Sequence, residues 1–187
     1  MPPLANVEAL ARVYVERGAE HYGEGVTQLE HALQSAVLAE SARAPASLIV
    51  AALLHDIGHL LIPDDAQRRS SIDAHHERMG EVALRPLFGE TVRSPIRLHV
   101  AAKRYLCFAE PAYFNVLSEA SKASLALQGG PMTVKEASQF ERETHWRDAV
   151  ALRKFDDLAK RDETCGRCFE DFMLLLRASS VHGSNSN

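Results

Sequence analysis

Apolar residues recur at helical spacing along almost the whole chain, and no stretch alternates in the manner of a strand. Val7 to Ala19 reads as a first amphipathic helix, with Leu10, Val13 and Tyr14 on one side. His21 to Gly25 reads as a loop. Thr27-Gln28-Leu29-Glu30 fits a capping box, and the helix behind it runs to about Arg43. His31 then lies in the first turn, on a face shared with Ser35 and Leu38. Pro45 suits the opening of the next helix. That helix carries Ala51-Ala52-Leu53-Leu54-His55-Asp56-Ile57-Gly58-His59-Leu60-Leu61, apolar on nearly every side and so expected to be buried. Pro63 and the charged run to Ser71 read as a loop. Asp73 suits the N-cap of a helix from Ala74 to about Arg85. Ser94-Pro95 is expected to open a helix carrying His99 and Lys103, one turn apart.

Further on, Glu110 to Leu117 predicts a short irregular helix, and Ser118 to Leu127 another, ended by Gly129-Gly130-Pro131. Thr133 to Glu136 is a second capping box. Two more helices are expected, from about Trp146 to Lys160 and from about Cys168 to Ala178. The polar tail from Ser179 to Asn187 is expected to fray. No repeat or low-complexity linker interrupts the pattern. The reading is one all-α domain over residues 1–178, a helical bundle.

Composition narrows the partners. A net charge of −4 offers no basic surface for nucleic acid. No apolar run approaches a membrane span, and Met1-Pro2-Pro3-Leu4 lacks the regions of a signal peptide. Cys107, Cys165 and Cys168 form an odd set, which argues for a reducing compartment, and a cytoplasmic location is expected. Cys165-Gly-Arg-Cys168 is one CxxC with no second pair, open to reading as half a zinc site or as a redox pair.

The chemistry gathers around His55-Asp56. A buried, ionised Asp costs several kcal/mol unless it is paired or binds metal. Adjacent helical side chains point about 100° apart, so the two residues converge on an ion between them more readily than on each other. The chain has nine histidines. Each alone reads as a core or surface residue. Taken in order, His31, His55-Asp56, His76, His99 and Asp156 would bring six nitrogen and oxygen donors from five helices into a bundle core. Such donors suit iron, zinc, manganese or nickel. Asp56 is the natural bridge between two ions.

That order, His…His-Asp…His…His…Asp, resembles the HD-domain superfamily, with its two additional middle histidines. Further segments resemble one branch of it: Tyr22-Gly23-Glu24, Gln28-Leu29-Glu30-His31-Ala32-Leu33-Gln34, His76-Glu77-Arg78-Met79-Gly80, His99-Val100-Ala101-Ala102-Lys103-Arg104-Tyr105-Leu106 and Gln128-Gly129-Gly130-Pro131-Met132. This branch is the mixed-valence diiron oxygenases of organophosphonate breakdown, the PhnZ and TmpB type, and the likeness covers about Tyr22 to Asp157.

The resemblance implies two iron ions, Fe(II) and Fe(III), with O2 as co-substrate. His31, His55, Asp56 and Asp156 would hold one iron, and Asp56, His76 and His99 the other. His76 is preferred to His75 because it begins the His-Glu-x-x-Gly segment, and Asp156 to Asp157 by its spacing from His99. Lys103, Ser121, Ser124, Gln128 and His59 match positions around a phosphonate. Glu24 matches a lid carboxylate that covers the metal until substrate arrives. The partner Tyr of that lid normally lies three residues earlier. Here His21 stands there, and Tyr22 is only two before.

The implied activity is O2-dependent cleavage of the C–P bond of a 1-hydroxyphosphonate, with Glu24, His59 and Lys103 closest to the chemistry. The group beyond C1 could be hydrogen, aminomethyl or trimethylammonio-methyl. The implied partner is a small organophosphonate, with no nucleic acid, membrane or protein partner. A metal-dependent HD phosphohydrolase acting on a nucleotide or phosphate ester could use the same six donors. A non-catalytic HD module is the third reading.

Overall fold

A nine-residue helix with almost no polar atom to offer forms the axis of the molecule. In the computed structural model, which describes residues 4–21, 25–62 and 75–181, this helix is α3 (Ala46–Leu54). Leu48 and every residue from Val50 to Leu54 are buried. Around it come α1 (Val7–Arg17), α2 (Gln28–Ser41), α4 (Ile57–Leu60), α5 (His76–Leu84) and the long α6 (Glu90–Ala109). Then follow α7 (Tyr113–Val116), α8 (Glu119–Leu127), α9 (Val134–Phe140), α10 (Trp146–Leu158), a 3-10 turn (Phe169–Phe172) and α11 (Met173–Ser179). α2, α6, α10 and α11 pack directly on α3. Tyr14 of α1 fastens to it by donating its hydroxyl to Leu53 O at 2.9 Å. Among the described residues extended pairing is limited to two isolated bridges, His21 with Thr27 and Phe88 with Ser180. The all-α bundle expected from periodicity is the fold observed.

The sequence-expected helix through His55 and Asp56 is broken. α3 ends at Leu54, His55 caps it, and Asp56 leaves helical geometry at φ −100°, ψ 8° before α4 begins. A straight helix would spread these two side chains around its circumference. The break lets both turn to the same side.

α6 also differs from expectation. It begins at Glu90 rather than at Ser94-Pro95, which lies inside it. The Ser94 hydroxyl donates to Glu90 Oε2 at 2.6 Å instead of capping an amide, and Gly89 takes the N-cap position. Pro95, the sixth residue of the helix, has no N–H to give to the Thr91 carbonyl, so one intrahelical bond is missing there.

The capping box at Thr133 is complete. At Thr27 only half of one forms: Thr27 Oγ1 accepts from Glu30 N at 3.1 Å. Glu30 turns its carboxylate to Cys165 N at 2.7 Å, and so straps the chain after α10 to α2. The start of the tail is held rather than frayed, since Val181 N donates to Leu87 O at 2.8 Å. The loop read from Pro63 to Ser71 and the Asp73 cap lie outside the described residues.

α6 runs from the main core (Val92, Ile96) into two smaller apolar clusters, one around Leu98, Ala102 and Phe140 and one around Leu106, Tyr113 and Leu125. His99 and Lys103 sit where it crosses.

Candidate metal centre

Six side chains from separate segments converge beside the break after α3. His31 comes from the first turn of α2, His55 and Asp56 from the break, His76 from the first residue of α5, His99 from α6 and Asp156 from the last turn of α10. They fall into two trios, His31, His55 and Asp156, and Asp56, His76 and His99. The Nε2 atoms of His31 and His55 are 3.2 Å apart, and those of His76 and His99 are 3.1 Å apart. Asp56 lies between the pairs and divides its oxygens. Oδ2 is 3.6 Å from His31 Nε2 and 3.5 Å from His55 Nε2. Oδ1 is 3.3 Å from His76 Nε2 and 3.6 Å from His99 Nε2. Asp156 Oδ1 is 3.4 Å from His31 Nε2.

These spacings suit common coordination. Donors bound at about 2.0–2.2 Å to one ion lie roughly 3–3.5 Å from one another. The tautomers agree. The Nδ1 atoms of His31, His55 and His99 point at the carbonyls of Ala159, Ala52 and Ile96, at 2.7, 2.8 and 2.7 Å. A carbonyl only accepts, so each Nδ1 carries the proton and each Nε2 turns a lone pair inward, as in metal-binding histidines.

The electrostatics make the same demand. Burial opposes a charge on His31 and on His76, yet Asp156 holds the first up and Asp56 the second. Burial pushes their partners His55 and His99 down. Each pair thus accommodates one positive charge between two nitrogens. Burial also disfavours the ionised form of both carboxylates, but Arg153, with His31, holds Asp156 well below the usual range, and His55, with His76, does so for Asp56. The donor set would suit metal cations at the two trios, and Asp56 is placed to reach both. His75 is exposed and takes a left-handed backbone at φ 48°, while His76 is turned inward. Asp157 is directed at Arg153 and Tyr113 and not at the histidines.

Next to the trios lies a cluster of cations and hydroxyls. Lys103, one turn beyond His99, is 2% exposed and donates to Ser124 Oγ at 2.6 Å. Burial, reinforced by Arg153, pulls its ammonium down to about 8. Ser121, one turn before Ser124, accepts from Lys160 Nζ at 2.9 Å and Arg153 NH2 at 3.3 Å. Arg153 NH1 reaches Asp156 Oδ2 at 2.7 Å, so one guanidinium touches both a candidate ligand and a candidate substrate hydroxyl. Gln128 caps α8 and carries a buried Oε1 without a hydrogen-bond partner among the described residues. His59 stacks on His76 with centroids 4.0 Å apart, and burial pushes its imidazole down to about 3. His21 is exposed in its bridge with Thr27, and no hydrogen bond or ion pair joins it to the cluster among the described residues. Tyr22 and Glu24 lie outside the described residues.

Arg153, Lys160 and Tyr113 are the site neighbours that the sequence reading left out. Arg153 stands one turn before Asp156, a spacing that could have flagged it. Lys160, which the sequence reading placed at the end of this helix, lies just past its observed end at Leu158.

The HD domain family matches residues 28–126, more than half of the chain. A hydroxymethylphosphonate dioxygenase of Gimesia maris is 47% identical over 160 residues, covering 84% of this chain and 80% of the relative. A [1-hydroxy-2-(trimethylamino)ethyl]phosphonate dioxygenase (glycine-betaine-forming) of Leisingera caerulea is 44% identical over 162 residues, covering 83% and 80%. The chain belongs to the HD-domain family, in the branch that contains these two phosphonate dioxygenases.

Proposed function

We propose that the protein is an O2-dependent dioxygenase that cleaves the C–P bond of a 1-hydroxyphosphonate. The observation that carries this reading is the placement of Lys103, a deeply buried ammonium on a neutral hydroxyl, one helical turn from His99. A dinuclear site beside a waiting cation suits a small substrate with an anionic end and a metal-binding end. The names of the two relatives give the same substrate class.

His31, His55, Asp56 and Asp156 would hold one iron, and Asp56, His76 and His99 the other. When bound, an Fe(II)/Fe(III) pair supplies the redox chemistry with O2 and binding sites for the hydroxyl and a phosphonate oxygen of the substrate. The chain's own residues bind and orient. Lys103, Ser121 and Ser124 would take the phosphonate oxygens, which fixes the direction of the C1–P bond relative to the two trios. Arg153 holds Asp156 with one arm and Ser121 with another. His59, kept neutral by burial, lies against His76 and would line the substrate side. Gln128 has an acceptor to offer to a substrate hydroxyl or amine. The reaction closes without an outside reductant. The C–P and C1–H bonds break, and both atoms of O2 end in the products, a carboxylic acid and phosphate.

The test is anaerobic iron reconstitution, followed by O2 uptake and phosphate release on hydroxymethylphosphonate and on [1-hydroxy-2-(trimethylamino)ethyl]phosphonate. The expected result is one O2 consumed per phosphate with at least one of the two. Hydrolysis of phosphate esters with redox-inert metal and without O2 uptake would overturn the proposal in favour of a phosphohydrolase.

A further inference from the structure

Cys165-Gly166-Arg167-Cys168 lies outside the centre described above, in the chain between α10 and the 3-10 turn. Both cysteines are free thiols, Cys168 exposed and Cys165 half-buried against the main core. Among the described residues no third donor joins them in a group that could hold a metal ion. Thiol chemistry is therefore the use the pair is fitted for. Gly166, between them, bends the chain at φ 71°, and an added Cβ there would meet nothing within 4 Å. The turn has both the room and the backbone freedom to tighten. Its two ends are held unequally. The Cys168 amide donates to Asp171 Oδ2 at 3.0 Å, and its sulfur accepts from the Asp171 amide. The buried Phe169 and Phe172 anchor the turn that follows. Cys165 hangs on the Glu30 carboxylate, which accepts from its amide at 2.7 Å. That bond is the far end of a strap along α2. Gln34 donates to the carbonyls of Arg161 and Glu163, at 2.8 Å each, and Ala159 O fixes His31.

We propose that Cys165 and Cys168 are a reversible redox switch, in which closing a disulfide between them draws Cys165 off Glu30 and loosens the strap that holds His31. The proposal concerns the strap itself and does not rest on the phosphonate reading. The oxidant is a low-molecular-weight disulfide. The exposed Cys168, as thiolate, attacks one of its sulfurs and expels the other as a thiolate, which leaves a mixed disulfide on Cys168. The Cys165 thiolate then attacks the Cys168 sulfur and expels the second small thiolate. Two protein thiols give up two electrons and two protons, and the small disulfide becomes two thiols. Burial pushes the Cys165 thiol up, which suits it to the second, intramolecular step. A disulfide needs its Cα atoms roughly 4.4–6.8 Å apart. The anchored Cys168 does not yield to that demand, so Cys165 moves and Glu30 loses its amide donor. So small a ring takes little freedom from the unfolded chain, and the bond acts as a switch rather than as a staple.

The experiment compares the iron-loaded full chain with its Cys168→Ser and Glu30→Gln variants in buffers of reduced or oxidised glutathione. Wild type is expected to lose the mass of two hydrogens and both alkylatable thiols of the motif, and to regain them on reduction. Oxidation should speed hydrogen exchange over residues 159–165, and the loss of iron to a chelator, each by about tenfold. Cys168→Ser, whose hydroxyl keeps the cap, should behave as reduced wild type in both buffers. Glu30→Gln, with a neutral acceptor in place of a charged one, should lose iron faster even when reduced. A mixed glutathione disulfide that never closes, disulfides between chains, or equal exchange in the two redox states would overturn the proposal. So would oxidation that speeds iron loss from Cys168→Ser as much as from wild type, or faster exchange with unchanged iron loss. The exchange measurement does not depend on metal. A chain that takes up no iron would sink the reading of the trios, while exchange still decides the switch.

Discussion

At the scale of the residue, the site works because single side chains face two ways. Asp56 gives one oxygen to each histidine pair. Arg153 spans Asp156 and Ser121. Lys103 is the residue whose behaviour should be visible in solution. Burial and the nearby charges of Arg153 and Lys160 favour its neutral form, while Asp156 and Asp157 oppose this, and the balance lies at about 8. A lowered ammonium value means that charge is lost early as pH rises. Above about pH 8 the free enzyme should lose its grip on the phosphonate, and kcat/KM should fall about tenfold per pH unit. The bound dianion favours the charged lysine, so kcat should hold to higher pH. A pH–rate series checks this, and a kcat/KM that stays level to pH 10 would remove Lys103 from substrate binding. The six donors were legible in the sequence because they follow one another in a recognisable order along the chain. Lys160 was not legible, since its place depends on how the chain turns after α10.

At the scale of the element, the decisive contact is between α4 and the start of α5. A Cβ on Gly58 would lie 2.0 Å from His76 O, a backbone atom that cannot swing aside. Gly80 faces the same crossing, with Gly58 N 3.4 Å from where its Cβ would be. Two small residues therefore let α5 come close enough to deliver His76 to Asp56. Gly58→Ala should push the elements apart, cost about 1–3 kcal/mol of stability and lower the metal content. Metal analysis and a melting curve measure both. Gly25→Ala, where an added Cβ meets nothing within 4 Å, is the control expected to change neither. Helix identities were readable from caps and periodicity. The break at His55-Asp56 was not, because the apolar pattern continues on both sides of it. Nor was the start of α6, because Ser94-Pro95 has the form of a helix opening while Glu90 engages the serine hydroxyl.

At the scale of the whole molecule, the candidate centre brings together residues from α2, the α3–α4 break, α5, α6 and α10, in the midst of an otherwise apolar bundle. Six donors that face one another, five of them buried, are a burden on the fold until cations match them. Chelation should therefore lower the melting temperature, on the order of 10 °C for a protein of this size, if each ion is present at about a thousand times its Kd. Re-addition of metal should restore it. Equal melting curves with and without metal would mean that the trios do not bind ions tightly. The one-domain, all-α plan was open to reading from sequence because local periodicity dominates it. The cation cluster beside the metals belongs to tertiary packing, where α6, α8 and α10 meet.

The two trios differ in how much of the chain each one gathers. Asp56, His76 and His99 are close together in the sequence, between positions 56 and 99. The other trio joins α2 to the end of α10, where His31 and Ala159 already meet across 128 residues. An ion in that trio acts as a removable crosslink around most of the polypeptide, and a clip that closes so long a loop takes the most freedom from the unfolded chain. Metal supply would then govern how long the protein survives proteases as well as how fast it turns over.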